Sequence, residues 1–406
     1  MRTRLTTLLV IALIALLPTQ LGKHFFFPFS FVSGVRIDYL APTLYLTDLI
    51  ALALVVLNAQ LVWKSFHKKE FALVAGLGVI NLLLAISPAV AAYRFLKIIE
   101  IYTLYVIIRQ AKMSAQSVLA AFTVGAAFEW ALATMQFVTR GSLQGVFYWL
   151  GERYFNMYTP DIAKITFNGV QFLRPYGSFS HPNSMAGFYL LVYTFVLTAP
   201  YFKKHFILKN LLILFSSILI LLSCSKIAIA AFAVLSIYYI TRRGVITCRL
   251  CRYGRSIVLT VVSLIFLSGH GDPMTIDKRL TLMSNALDII GQRPLFGTGL
   301  GNYILAQAQF PIRQSYFFLQ PVHNIYLLFL TESGLLLAIG IIYTVWKRIK
   351  ITHYYPHFLI PVAAIAVTGL ADHYWITLQQ NWMLLPVIFA LPVALKKEKS
   401  SDTVKL

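Results

Sequence analysis

The stretch NIYLLFLTESGLLLAIGIIYTVWKRIK, residues 324–350, decides the class of fold. Its apolar run, 324–346, is long enough to cross a bilayer, which takes about 20 helical residues. It ends in Lys347, Arg348 and Lys350, a basic flank of the kind found on the cytoplasmic side of a span. Glu332 lies within the run, and an intramembrane carboxylate is costly and usually paired.

Outward from this stretch the same pattern recurs. About twelve apolar runs are readable: 5–22, 44–62, 71–87, 92–108, 114–138, 183–202, 206–222, 224–240, 256–268, 324–346, 358–371 and 376–395. The third, ninth and eleventh are short. Of 406 residues, 58% are hydrophobic and 12% charged, against about 25% charged in a soluble domain. The aromatic share of 14% argues against disorder. These figures exclude a soluble enzyme, a disordered chain and a fibrous repeat. They predict an all-α, polytopic transmembrane helix bundle, a single membrane domain over 1–406 without a soluble domain, linker or internal repeat. Residues 1–4 and the apolar run after them mimic a signal peptide. No small-residue cleavage site is obvious, so the run is expected to stay as the first span.

The net charge is +21. With a cytoplasmic N-terminus, every short basic cluster falls on one side: Arg2/Arg4, Lys64/Lys68/Lys69, Arg109/Lys112, Lys203/Lys204/Lys209, Arg242/Arg243/Arg249/Arg252/Arg255, Lys347/Arg348/Lys350 and Lys396/Lys397/Lys399/Lys405. This alternation follows the positive-inside rule and predicts both termini in the cytoplasm. The 241–255 cluster reads as an anchor on anionic lipid, and nucleic acid is not needed. Three cysteines are too few for a disulfide framework. Cys248 and Cys251 supply two ligands where structural zinc takes four.

Two long loops remain on the outer side, about 139–182 and 269–323. They hold Arg140, Arg153, Arg174, Lys278, Arg279, Arg293 and Arg313. Arginine-bearing loops on the side that should be poor in arginine are where function is expected. The second loop contains a readable helix. Asp272 and Pro273 start it, Ile276, Leu280, Met283, Leu287 and Ile290 form one apolar stripe, and Gly291 and Pro294 close it. Such a helix would lie on the membrane surface and hold Arg279 near the headgroups.

Several groups could carry chemistry, each with a plainer alternative. RPYGSFSHPN, residues 174–183, offers Arg174 as a two-pronged anion binder, or is a re-entry turn. His323 stands at the mouth of the tenth run, as a general base or an interfacial polar residue. Arg94, Lys97 and Glu100 in the fourth run form an internal ion-pair network or mark a substrate pathway; Asp48, Glu129 and Lys226 also lie within or at runs. GTGLGN, residues 297–302, has no preceding strand and reads as a turn rather than a phosphate loop. No Walker motif, HExxH, GxSxG or acidic pair in the outer loops is present. That disfavours an ATP-driven pump, a metalloprotease, a serine hydrolase and a metal-dependent sugar transferase.

Four stretches, in order, resemble the O-antigen ligase/polymerase superfamily of bacterial membrane glycosyltransferases. They are RIDYLAPTLYLTD (36–48), RPYGSFSHPN (174–183), RLTLMSNALDIIGQRPLFGTGLGNY (279–303) and VHNIYLLFLTESG (322–334). DHYWITLQQ (372–380) also looks family-like. The resemblance implies a helical bundle of the glycosyltransferase C type, working on the outer face of the cytoplasmic membrane. It implies a glycan donor on undecaprenyl diphosphate and a glycan, lipid or protein acceptor. Arg174 and Arg279 match arginines thought to bind the diphosphate, and His323 matches a histidine thought to deprotonate the acceptor. His181 and Asn324, from the same motifs, join the expected substrate-binding set. Lys226, in SCSKIAIAAF, stands where many relatives carry Arg, so its charge is kept and its fork geometry lost. No metal and no cofactor are expected.

The chemistry agrees: a lipid diphosphate is a built-in leaving group, so the enzyme need only stabilise its growing charge and activate one hydroxyl. The readings from other classes are a lipid-linked oligosaccharide flippase or transporter and a non-catalytic assembly scaffold. Within the enzyme class, ligation, polymerisation and O-linked protein glycosylation remain open.

Overall fold

The computed structural model describes residues 2–66, 69–242, 248–271, 275–310, 318–349 and 356–403. Lys68, Arg243, Asp272, Pro273, Arg313, Lys350 and Lys405 lie outside the described residues, as do the side chains of Lys69, Lys347, Arg348, Lys397 and Lys399.

Helices stand at all twelve apolar runs. The first half contains α1 (Arg2–Leu16), α2 (Leu46–Leu57), α3 (Ala59–Phe66), α4 (Lys69–Leu83), α5 (Pro88–Ile108) and α6 (Ala115–Thr139). A single turn, α7 (Val146–Trp149), precedes α8 (Pro182–Thr198), α9 (Phe206–Leu222), α10 (Lys226–Thr241) and α11 (Arg249–Leu267). Then come α12 (Thr275–Gln292), α13 (Tyr303–Gln307), α14 (Ile325–Ile349), α15 (Pro356–Gly369), α16 (Tyr374–Thr377) and α17 (Gln379–Thr403).

Among the described residues, three helices are long and apolar enough to cross a bilayer alone: α6, α11 and the Ile325–Trp346 part of α14. The expected span 44–62 is not straight, since α2 and α3 meet at 85°. Asn58 sits at the break, where its Nδ2 donates to Leu54 O and to Thr6 Oγ1. A polar side chain that satisfies backbone and neighbour in this way lets a helix break among apolar partners. Helices α9, α10 and α15 are apolar but shorter.

The loops are not wholly helical or irregular. Three two-stranded antiparallel ladders pair β1 (Gly22–His24) with β4 (Thr43–Tyr45), β2 (Phe31–Val32) with β3 (Val35–Arg36), and β5 (Lys164–Phe167) with β6 (Val170–Leu173). Folding a long loop back over a bundle leaves N–H and C=O groups to satisfy, and short ladders do it.

The centre of the bundle is α8. Every residue from Pro182 to Val196 is buried, and α9, α10, α15 and α17 pack around it. Its first turns are built from small residues, which let neighbours approach closely. A Cβ on Gly187 would come within 2.3 Å of the Tyr374 ring, so only glycine admits that ring. Ser184 donates to Asn381 of α17.

A buried polar clamp on α6 fixes the loop entering α8. Gln136 Oε1 accepts from the N–H groups of Tyr176 and Gly177, and Glu129 accepts from the N–H and hydroxyl of Ser178. Gly177 has φ +58°, and a Cβ there would lie 2.1 Å from Glu129 Oε2.

The GTGLGN turn is structural, as expected. It clasps a kink in α14 at Gly334, where φ is +65°. Thr298 N–H donates to Thr331 O and Gly299 N–H to Glu332 O, both at 3.0 Å. Asn81 Nδ2 donates to Phe296 O and Glu332 O. The kink explains Glu332's neighbourhood: its Oε1 accepts from Tyr303 N–H.

The outer helix carries a second apolar face beside the stripe read from its sequence. The stripe Ile276, Leu280, Met283 and Leu287 is exposed, while Leu282, Asn285, Ala286 and Ile289 are the buried face of α12. The periodicity marks two apolar faces, one toward protein and one left bare.

Candidate active site

A cavity of about 1610 Å³ lies where the loops between helices meet. Arg174, His181, Lys226, Arg279 and His323, far apart along the chain, all line it. Asn324 does not. It caps α14, with Oδ1 accepting from the N–H groups of Tyr326 and Leu327 and Nδ2 donating to Leu370 O. Its place beside His323 in the motif serves the helix start.

Arg174 is placed by two bonds. Its Nε donates to Ser223 O at 2.7 Å and its Nη2 to Asn183 Oδ1 at 2.5 Å. Burial pushes its pKa below the ordinary guanidinium value, with Cys224, Tyr176 and Asp372 working the other way. Arginine stays protonated under such shifts. Ser223 opens the SCSK turn, where Cys224 takes φ +51° and delivers Lys226 to the first turn of α10. Arg279 is half-buried on α12, and its Nε makes no hydrogen bond among the described residues. A guanidinium N–H without a partner suits an anion. Arg94, Arg153 and Lys278 join the lining, and Lys and Arg outnumber Asp and Glu on its walls. Such walls favour an anion.

His323 is set against Asp372, a residue with no role assigned from the sequence. Nδ1 of His323 lies 3.6 Å from Asp372 Oδ1, beyond a hydrogen bond but in its direction. Catalytic hydrogen bonds often run long before substrate binds. Asp372 Oδ1 accepts its neighbour His373's N–H at 2.8 Å, and Oδ2 accepts Asn183 Nδ2 at 2.7 Å. Burial opposes charge on Asp372, yet the facing imidazole of His323 leads the interactions that hold the carboxyl well below its ordinary range. With Nδ1 turned to this carboxylate, the Nε2 lone pair of His323 is left to take a proton.

The other two histidines are neutral. His181 caps α8, with Nδ1 accepting Asn183 N–H at 3.1 Å. Burial, helped by Arg174, pushes its pKa down to about 3. Burial likewise brings His373 to about 3. Thr377 Oγ1 donates to His373 O, so His373 Nδ1 donates to that hydroxyl at 2.7 Å. His323, Asp372 and His373 are also within reach of a shared cation, their ligand atoms all within 4.8 Å.

Of the charges of α5, Lys97 and Glu100 are closed on themselves, while Arg94 stands apart and its Nη2 donates to Tyr39 O. Lys97 Nζ lies 2.6 Å from Asp48 Oδ2 and 3.1 Å from Glu100 Oε2, and Gln379 Nε2 donates to Asp48 Oδ1. Lys97 also lines the cavity.

Sequence reasoning missed Asp372, His373 and the bridging Asn183. Both stretches that hold them were visible, but an Asp-His pair at a span end gives no spacing signal for what it faces.

The whole chain matches no curated protein. Residues 211–342, about a third of the chain, match the family described as O-antigen ligase; the segment includes Lys226, Arg279, His323 and Glu332, and is similar to the superfamily that the motifs resemble.

Proposed function

We propose that this chain is a membrane glycosyltransferase of the O-antigen ligase or polymerase type. It transfers a glycan from an undecaprenyl-diphosphate carrier to an acceptor hydroxyl on the outer face of the bacterial cytoplasmic membrane. The observation that carries this reading is the convergence of Arg174, Arg279, Lys226 and the His323–Asp372 pair on one cavity. The shorter apolar helices would cross the membrane beside the three long ones, giving about twelve spans in a C-type bundle with both termini inside.

In this reading, His323 Nε2 removes the proton of the acceptor hydroxyl. The freed oxygen attacks the anomeric carbon, the bond from that carbon to the diphosphate oxygen breaks, and the diphosphate leaves with the electron pair. Arg174 and Arg279 bind the charge as it grows, and Lys226 adds a point charge. Asp372 keeps the His323 proton on Nδ1 and steadies the imidazolium that forms. The bare apolar stripe of α12 rests on lipid and keeps Arg279 at headgroup depth. The arginines supply what a divalent cation supplies in other sugar transferases.

The flippase reading needs charges free to follow a substrate. Lys97, paired with both Asp48 and Glu100, is not free.

The test is transfer by the purified protein in nanodiscs, given carrier-linked oligosaccharide and acceptor with no ion gradient. Glycan transfer is expected, lost in His323→Ala and unaffected by chelator. Translocation without transfer would make the chain a flippase, and loss of activity on chelation would put a cation at His323, Asp372 and His373.

A further inference from the structure

Tyr148 and Trp149 have no part in the chemistry above. They sit on α7, in a loop that is held firmly. Glu152, 2% exposed, accepts from the N–H groups of Leu143 at 2.9 Å and Gln144 at 2.6 Å, and from Gln136 Nε2 at 2.8 Å. Gly151, at φ +101°, lies so close to Gln20 that a Cβ would meet its backbone N at 2.8 Å. The Phe147 ring faces Phe128 of α6.

On this fixed turn two rings are left bare. Tyr148 is 56% exposed and Trp149 76%, and they meet edge to face at 5.6 Å. Both line the cavity; Tyr154 and Tyr158, just as exposed, do not. Rigidly mounted, exposed aromatics that line a cavity are binding surface rather than core. The same cavity is lined by Gln20 and Ser180, whose Oε1 and Oγ make no hydrogen bond among the described residues. Arg153 stands with them and donates to Ser180 O. An aromatic face together with unmet polar atoms suits a ring that is apolar on its C–H face and hydroxylated at its rim.

We propose that Tyr148 and Trp149 form an aromatic subsite that stacks on a pyranose ring of the glycan, with Gln20 and Ser180 bonding its hydroxyls. This rests on the transferase reading above, and the ring can belong to the donor glycan or the acceptor glycan.

The experiment uses the full chain in nanodiscs with Trp149→Ala, Tyr148→Ala and Trp149→Phe. Transfer is measured with carrier-linked oligosaccharide varied at saturating acceptor, and then with the acceptor varied. Trp149→Ala should raise one KM about tenfold while kcat falls less, and Trp149→Phe should restore most of the loss. The substrate whose KM rises is the one that carries the stacked ring. In parallel, the free oligosaccharide released from the carrier by mild acid is titrated against tryptophan fluorescence. Quenching in the wild type that is lost in Trp149→Phe supports the subsite without catalysis. If that quenching occurs while no variant transfers glycan, the subsite stands and the transferase reading falls. Unchanged KM values in Trp149→Ala, with equal quenching in Trp149→Phe, overturn the subsite and leave the rings as interfacial anchors.

Discussion

Asn183 holds Arg174 with one end of its amide and Asp372 with the other: Oδ1 accepts from the guanidinium at 2.5 Å, and Nδ2 donates to the carboxylate at 2.7 Å. One side chain thus joins the group proposed to bind the leaving diphosphate to the group that faces the base. Asn183 is anchored in turn, because it lies in the first turn of the most buried helix of the bundle.

This bridge predicts the effect of removing it. Asn183→Leu keeps the branched shape and deletes both bonds, leaving Asp372 with an unmet oxygen and Arg174 with its bond to Ser223 O. kcat should fall about 10- to 100-fold, with a smaller change in KM, because positioning is lost rather than contact. Asp372→Asn should cost more, about 100-fold or beyond, since an amide no longer holds the His323 proton on Nδ1. Steady-state transfer kinetics on both variants check this. Equal kcat in Asp372→Asn and wild type would remove Asp372 from the mechanism.

Arg174→Lys and Arg279→Lys keep the charge at each position. An ammonium cannot bridge two phosphate oxygens as a planar fork does, so each should lower kcat/KM by about 10- to 100-fold. Arg174→Lys should be the worse of the two, because it also gives up the bonds to Ser223 O and Asn183 Oδ1. Lys226→Arg should be tolerated or improve the rate, since Lys226 is exposed at the cavity with room for a longer head. Full activity in both Lys variants would place the diphosphate elsewhere.

Gly177→Ala should destabilise the fold without touching substrate. The residue has φ +58°, and an added Cβ would collide with Glu129 Oε2. A left-handed non-glycine costs about 1–3 kcal/mol before any clash. Displacing Glu129 also unseats the two bonds to Ser178. The expected reading is a lower apparent melting temperature in detergent, larger than for Gly254→Ala, where a Cβ meets open space.

The apolar runs gave away the helices because length and hydropathy are local properties, and a helix stands at each run though several fill it only in part. The break at Asn58 was not legible, since it depends on Thr6, 52 residues away. The α12 stripe was legible as a period, but the buried face through Leu282 and Ile289 was not: Leu280 and Leu282 are both leucine, and only the neighbours decide which is buried. Arg174 and Arg279 stood out as arginines in outer loops that should be poor in arginine, and His323 as an imidazole at the mouth of an apolar run. Asn324 was marked only by the motif it shares with His323, and in the structure it caps α14. Asp372 and Asn183 escaped notice because their meaning lies in a contact across 189 residues.

Acid should destabilise the protein through two histidines. His181 and His373 have pKa values near 3 in the fold, against 6.5 for an ordinary histidine. Between pH 6.5 and about 3 the unfolded chain therefore binds more protons than the folded one. Stability is fully present above pH 6.5 and is lost as pH falls through that window, by up to about 1.4 kcal/mol per pH unit for each histidine. His181 adds a structural reason: its Nδ1 must be unprotonated to accept the Asn183 N–H that starts α8. His181→Asn keeps an acceptor for that N–H and does not titrate. Melting temperatures between pH 4 and pH 7 should fall less steeply with acid in this variant than in the wild type. An identical slope would mean that His181 is not the neutral, buried cap described above.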